Sequence, residues 1–188
     1  MAFYVRKFAR AKWSVLEKGS ENIIENYNSD TIANDMRTQG NTLSLWRVES
    51  LSDQDIEPVL VINSLLGDTI SKIDLMFIPE EMIGEYSLVQ EDGDTVVLNY
   101  RHLHYNVVRL SVKTHVLFAK NIVLKILADE EENKKTQGQT LLIKRIAERK
   151  QFEMIEKWIA QGDIDFAQLK EKQQNAIEKY REKLKSAG

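Results

Sequence analysis

The spacing of apolar and polar residues predicts a sheet in the first half of the chain. Residues 2–9 are rich in Phe, Tyr and Val, which favours a strand. Residues 42–48 alternate strictly, so that Leu45 and Trp46 are expected on opposite faces of a second strand. Residues 59–62 are apolar and β-branched on both faces, which suits a buried strand, and residues 73–78 predict another before Pro79.

An Asp-Gly pair predicts a β-hairpin further along the chain. Residues 86–90 and 95–100 are both apolar-rich and flank the polar segment 91–94. Such a pair between two apolar segments is a strong local signal for a tight turn joining antiparallel strands. Leu88 is therefore expected to contact Val96 or Leu98 across the hairpin.

Two helices are predicted before the last fifty residues. A short helix is predicted over residues 29–36, after a Ser-Asp cap. From Val112 to Leu127, apolar residues return at three- and four-residue steps, which indicates an amphipathic helix. His115 falls on the apolar side of that helix, where a hydrogen-bonded core histidine is expected rather than a metal ligand.

The last fifty residues predict a helical hairpin. Residues 129–138 are polar and charged, and are predicted to link an α+β body (1–128) to a tail (139–188). The first tail helix has a broad apolar face that begins at Leu142. The second has a narrow stripe, which suits packing against one neighbour, either the preceding helix or a second subunit. Strands followed by helices predict an α+β fold with a small, mostly antiparallel sheet.

Charge is distributed unevenly along the chain. Residues 49–94 contain twelve Asp or Glu and a single Lys, whereas residues 133–188 contain thirteen Lys or Arg and eight Asp or Glu. We expect the acidic and basic segments to lie near one another and to offset each other's charge. The apolar residues near the N-terminus are interrupted by charges, and the most apolar later run is too short for a bilayer. A cytoplasmic protein without a membrane segment is the prediction.

The motifs of several enzyme classes are missing. The chain has no Cys, and its eight Gly form neither a dinucleotide-binding nor a phosphate-binding loop. No serine lies in a nucleophile elbow. Two histidines in one strand at His102 and His104 would point to the same side, which makes them weak candidates for catalysis or metal binding. No cofactor and no metal site are predicted, and a non-enzyme is favoured.

The N-terminal segment mixes cations with aromatic residues. Arg6, Lys7, Arg10 and Lys12 lie among Phe, Tyr and Trp side chains, a mixture that can hold phosphates and stack bases. The same pattern is typical of a strand with an apolar inner face and a basic outer face. Nucleic acid is therefore an alternative partner, disfavoured by the acidity of the whole chain.

The favoured hypothesis is a non-catalytic interaction protein. It would act as an accessory or inhibitory component of a protein assembly, such as a bacterial conflict (defence) system, with a protein partner or a second copy held by the C-terminal helices. The alternatives are a metal-dependent hydrolase or nuclease using His102 and His104, and a nucleic-acid-binding subunit using the basic N-terminus. The predicted partner-binding residues follow the narrow stripe of the last helix: Phe166, Leu169, Ile177, Tyr180 and Leu184.

Overall fold

A six-stranded antiparallel sheet organises the protein. The computed structural model describes residues 1–8, 36, 38–136 and 143–187. Within them, the strands lie in the order β4-β5-β2-β1-β3-β6, and every neighbouring pair is antiparallel. The strands are β1 (Phe3–Phe8), β2 (Leu43–Val48), β3 (Ile73–Pro79), β4 (Ser87–Gln90), β5 (His104–Val108) and β6 (Ile143–Ile146).

Helices cover both faces of the sheet. The described helices are α1 (Asp53–Leu65), α2 (Val112–Thr136), α3 (Glu148–Gln161) and α4 (Glu171–Ala187), with 3₁₀ turns at Glu80–Met82, Leu98–Leu103 and Phe166–Gln168. On one face of the sheet, Trp46 and Val48 pack in a core with α1, α3 and α4. On the other face, Leu43 and Leu45 pack against Phe118 of α2. This is an α+β arrangement that includes a C-terminal pair of helices, as predicted.

The predicted strand over residues 59–62 is wrong, because these residues lie in α1. The N-cap of this helix is Ser52, whose side chain accepts a hydrogen bond of 3.2 Å from the backbone N–H of Asp55. The residues from Pro58 to Leu65 are all buried. Because these residues are buried on every side of the helix, their sequence shows no alternation of apolar and polar positions. So short an apolar run cannot be told from a buried strand by its periodicity.

The predicted hairpin is also wrong in its pairing. β4 pairs with β5, so Leu88 lies opposite Val107 rather than Val96 or Leu98. The segment from Glu91 to Val97 is a loop, and residues 98–103 form a 3₁₀ turn. The backbone N–H of Gly93 donates a 3.1 Å hydrogen bond to the carbonyl of Arg101. The Asp-Gly pair therefore belongs to a longer connection between the two strands.

Part of the predicted tail belongs to the sheet. Residues 143–146, predicted to be helical, form the edge strand β6 beside β3. Arg145 and Asp74 lie opposite each other on these strands. The Arg145 guanidinium donates two hydrogen bonds to the Asp74 carboxylate, at 2.7 and 3.0 Å. The predicted linker is helical as far as Thr136, and residues 137–142 lie outside the described part of the chain. The division into a body and a tail stays a prediction. The predicted helix over residues 29–36 lies outside the described part of the chain, except for Met36, which is buried.

Candidate functional site

A buried amide fixes α4 to the end of α1, and an ion pair joins α4 to α3. Gln173, which is 1% exposed, donates hydrogen bonds to the carbonyls of Leu65 (2.9 Å) and Gly67 (2.7 Å) at the end of α1. Arg181 of α4 makes a two-pronged ion pair with Glu156 of α3, at 2.6 and 3.0 Å. These contacts set the position of α4 along α3, so the surface between the helices has a defined shape.

A groove runs along this surface, and it is named here the α3–α4 groove. Its floor contains Phe152 and Tyr180, whose rings stack with 4.8 Å between centroids and 10° between planes. Arg149 stands on the rim contributed by α3, and Lys179 and Lys183 stand on the rim contributed by α4. The complete lining is Glu148, Arg149, Phe152, Ala176, Lys179, Tyr180 and Lys183.

Part of the charge in the basic tail is offset by the acidic segment, as the sequence predicts. Among the described residues, three ion pairs join the two: Asp74–Arg145 (2.7 Å), Glu57–Lys157 (2.5 Å) and Asp68–Lys170 (2.8 Å). In contrast, Lys179 and Lys183 have no acidic partner among the described residues. They are separated by one helical turn, so both ammonium groups lie on the same side of α4. The rim of the groove is therefore a site of uncompensated positive charge.

The predicted partner-binding residues divide between core and surface. Leu169 and Ile177 are buried in the core beneath α1 and α3, so the neighbour of this part of the stripe is the protein itself. Phe166 is half-buried beneath the guanidinium of Arg181, which lies 4.9 Å from the ring centroid. Tyr180 is half-buried in the groove floor, and Leu184, at 52% exposed, projects from the last turns of α4. Their role in binding a partner stays a prediction.

Glu57 links α1 to α3. Its carboxylate accepts hydrogen bonds from Lys157 Nζ at 2.5 Å and from Trp158 Nε1 at 2.7 Å. Burial acts to raise the pKa of Glu57, but the bonds from Lys157 and Trp158 outweigh it and lower the pKa below its usual value. This carboxylate is charged near neutral pH and has a structural role.

His102 and His104 do not form the pair expected of a single strand. His102 lies in the 3₁₀ turn and is exposed, and its ring stacks on Tyr100 with 6.4 Å between centroids. His104 begins β5, where its Nδ1 lies 3.1 Å from the carbonyl of Glu91 and its ring packs 5.0 Å from that of Trp46. In the described part of the chain, no group of three or more His, Asp or Glu residues is placed to hold a metal ion.

His115 is half-buried near the start of α2. Its Nε2 atom is buried and has no hydrogen-bond partner within the described residues. The predicted hydrogen bond to this ring is therefore not seen there.

The cations of the N-terminal strand lie on opposite faces of the sheet. The guanidinium of Arg6 donates a 2.7 Å hydrogen bond to the carbonyl of Ser44 on the neighbouring strand. Lys7 is half-buried, and burial lowers the pKa of its ammonium group. Successive residues of a strand point to opposite sides, so these two cations cannot form one basic face. Arg10 and Lys12 lie outside the described residues.

The sequence indicated the stripe of α4 but missed the residues that make the groove. Arg149, Phe152, Lys179 and Lys183 were not among the predicted site residues. The spacing of the two lysines and the excess of positive charge in the tail were visible signals. Which cations of the tail make ion pairs depends on residues 71 to 102 positions away, and no local pattern of the sequence records such contacts.

Comparison with known proteins finds no family model that matches this chain, no similar curated protein and no similar solved structure. Among the described residues, no helix is both long enough and apolar enough to span a membrane.

Proposed function

We propose that this protein is a non-catalytic interaction protein that binds a protein partner through the α3–α4 groove. The observation that carries the proposal is the combination of a fixed aromatic floor with the uncompensated cations Lys179 and Lys183 on one rim. Aromatic residues are enriched at protein interfaces, and a charged rim selects a partner of the opposite sign.

The partner is expected to present an apolar ridge with acidic residues beside it. Tyr180 supplies apolar surface together with a polar hydroxyl, which suits an interface that is partly wet. Lys179 and Lys183 would pair with carboxylates at the edge of the contact, where such pairs steer association more than they add affinity. We propose that this binding serves an accessory or inhibitory role in a larger assembly, such as a bacterial defence system.

Co-purification from the native host tests the proposal. Tagged wild-type protein is compared with a groove variant, Lys179→Glu/Lys183→Glu, and with the charge-matched control Lys72→Glu/Lys150→Glu. The control lysines are exposed and do not line the groove. We expect one protein to be recovered with wild type and control and lost from the groove variant. Equal recovery with all three proteins would refute the proposal, provided that circular dichroism shows all three folded.

A further inference from the structure

The sheet has an open edge at β4. Within the described part of the chain, β4 is the outermost strand and pairs with β5 alone. Three of its four residues, Ser87, Val89 and Gln90, are exposed. Val89 is 40% exposed although it lies inside the strand, opposite Asn106 of β5. No described strand therefore occupies the outer side of β4.

The register with β5 determines which backbone groups of β4 point outward. The backbone N–H of Glu91 donates a 3.3 Å hydrogen bond to the carbonyl of His104, in line with the ladder between the two strands. In an antiparallel ladder, such hydrogen-bonded pairs recur at every second residue. The backbone of Val89 therefore also bonds to β5, whereas the N–H and C=O groups of Leu88 and Gln90 point away from it. Among the described residues, these outward groups have no hydrogen-bond partner.

The sequence of β4 lacks the residues that usually prevent an edge strand from pairing further. Natural proteins protect such edges with Lys, Pro, β-bulges or very short strands. The sequence Ser-Leu-Val-Gln contains neither a charge nor a proline, and its register with β5 is continuous. The strand has only four residues, which limits any added strand to a short extended segment.

Acidic residues flank this edge. Glu85 precedes β4, Glu91 and Asp92 follow it, and all three are exposed. The exposed cation Arg109 follows β5, whose end lies beside the start of β4. The acidic character is therefore strongest at the end of β4 that leads into Glu91 and Asp92. A partner of the opposite charge is favoured there.

We infer that β4 accepts a short, basic, extended segment of a partner protein as an additional strand of the sheet. The outward donors and acceptors of Leu88 and Gln90 match an extended backbone, and strand addition of this kind derives its affinity from main-chain hydrogen bonds. The partner residue opposite Val89 would lie in a non-hydrogen-bonded pair, where side chains are close, so an apolar β-branched residue is favoured there. Basic residues of the segment would lie beside Glu91 and Asp92.

The charges disfavour a second copy of this chain as the occupant. Antiparallel pairing of two β4 strands places the start of one strand beside the end of the other. In the register that places Leu88 opposite Leu88 of the second copy, Glu85 lies opposite Glu91 of that copy. Like charges directly opposite each other destabilise a strand pair. A basic segment turns the same positions into attractive pairs.

Amide hydrogen exchange of the full chain, measured by NMR, tests the inference with a defined peptide. The peptide is acetyl-Lys-Thr-Val-Thr-Val-Thr-Lys-amide, which has strand-forming residues and a cation at each end. We expect it to slow exchange of the Leu88 and Gln90 amides, while the Val89 amide, already bonded to β5, changes little. This alternation is specific to strand addition at the outer side of β4. The same peptide with Glu in place of Lys is expected to bind at least about tenfold more weakly.

A proline substitution tests the backbone contact directly. Gln90→Pro removes one outward N–H but keeps the pairing with β5, since the bonds to β5 come from Val89 and Glu91. It is expected to weaken peptide binding about fivefold or more. The matched control Gln90→Thr loses the same side chain and keeps the N–H, so its binding should stay within about twofold of wild type.

A charge substitution tests the acidic flank. Asp92→Lys is expected to weaken binding of the basic peptide about threefold or more at low salt, and less at high salt, because exposed charges are screened. Glu182→Lys is the charge-matched control, since Glu182 is exposed on α4 rather than beside β4, and it should bind as wild type does. Equal binding by the two variants at low salt would show that the acidic flank does not select the segment.

Several other results would overturn the inference. No protection of Leu88 and Gln90 at millimolar peptide excludes strand addition, as does equal binding by Gln90→Pro and Gln90→Thr. Self-association of wild type that Gln90→Pro abolishes, measured by sedimentation velocity, would make a second copy the occupant instead. The edge is separate from the α3–α4 groove, so Lys179→Glu/Lys183→Glu should keep the wild-type protection at β4. Failure at the edge and failure of the proposed function are therefore distinguishable.

Discussion

The ring of Tyr180 lies parallel to that of Phe152, with 4.8 Å between their centroids. Tyr180 belongs to α4 and Phe152 to α3, so the pair both joins the helices and forms the floor of the α3–α4 groove. The groove therefore depends on the same contact that stabilises the C-terminal helix.

Removing the Tyr180 ring should destabilise the protein. Tyr180→Ala is expected to lower the free energy of unfolding by about 2–3 kcal/mol, because it removes a half-buried ring and its aromatic contact. Tyr180→Phe keeps the ring and is expected to cost less than about 0.5 kcal/mol. Urea denaturation measures both values. Equal losses in the two variants would show that the hydroxyl, rather than the stacked ring, carries the stabilisation.

The position of α4 is expected to depend on the buried side chain of Gln173. Replacing it with Ala leaves the buried carbonyls of Leu65 and Gly67 without their donor, so we expect a loss of about 2–3 kcal/mol. Gln161→Ala, at the exposed end of α3, is the matched control and should change stability by less than about 0.5 kcal/mol. Thermal unfolding compares the two, and similar melting temperatures would contradict this role for Gln173.

Gly93 is required by close packing of a loop on the sheet. A Cβ atom at this position would overlap the indole ring of Trp46 and come within 2.8 Å of Cβ of His104. Gly93→Ala is therefore expected to cost about 1–3 kcal/mol, because the loop or the indole must shift. At Gly84 the nearest atom to an added Cβ is 3.8 Å away, so Gly84→Ala should be neutral or slightly stabilising. Chemical denaturation of both variants tests whether the lack of space for a side chain at position 93 causes the loss of stability.

Glu57 should make stability depend on pH in the acidic range. Its pKa is lowered in the folded protein, so its contribution is fully present above the ordinary value near 4.5 and is lost as the pH falls through the lower folded pKa. Glu57→Gln is expected to cost about 1–2 kcal/mol at pH 7, allowing for partial exposure of the pair. The difference from wild type should shrink toward pH 3. A difference in unfolding free energy that is constant with pH would show that the Glu57 charge is not responsible.

The amino-acid sequence by itself determined the elements whose patterns are local. The alternation of residues 42–48 predicted β2 and its two faces, and the three- and four-residue steps from Val112 predicted the start of α2. Period two and period 3.6 are direct consequences of backbone geometry, so they can be identified without knowing what packs against them. The uneven charge likewise predicted that acidic and basic segments would meet.

Tertiary structure decided what depends on distant partners. Residues 59–62 lie in α1, where the buried positions from Pro58 to Leu65 form a short apolar run without a periodicity that would tell helix from strand. β4 pairs with β5 across a loop held against Trp46 rather than across the nearest turn. Lys179 and Lys183 make no ion pair among the described residues, whereas Glu57, Asp68 and Asp74 pair with other cations of the tail. The groove itself is formed by the packing of α4 on α3 and by the hydrogen bonds of Gln173 to the end of α1, which are long-range contacts that no local pattern of the sequence encodes.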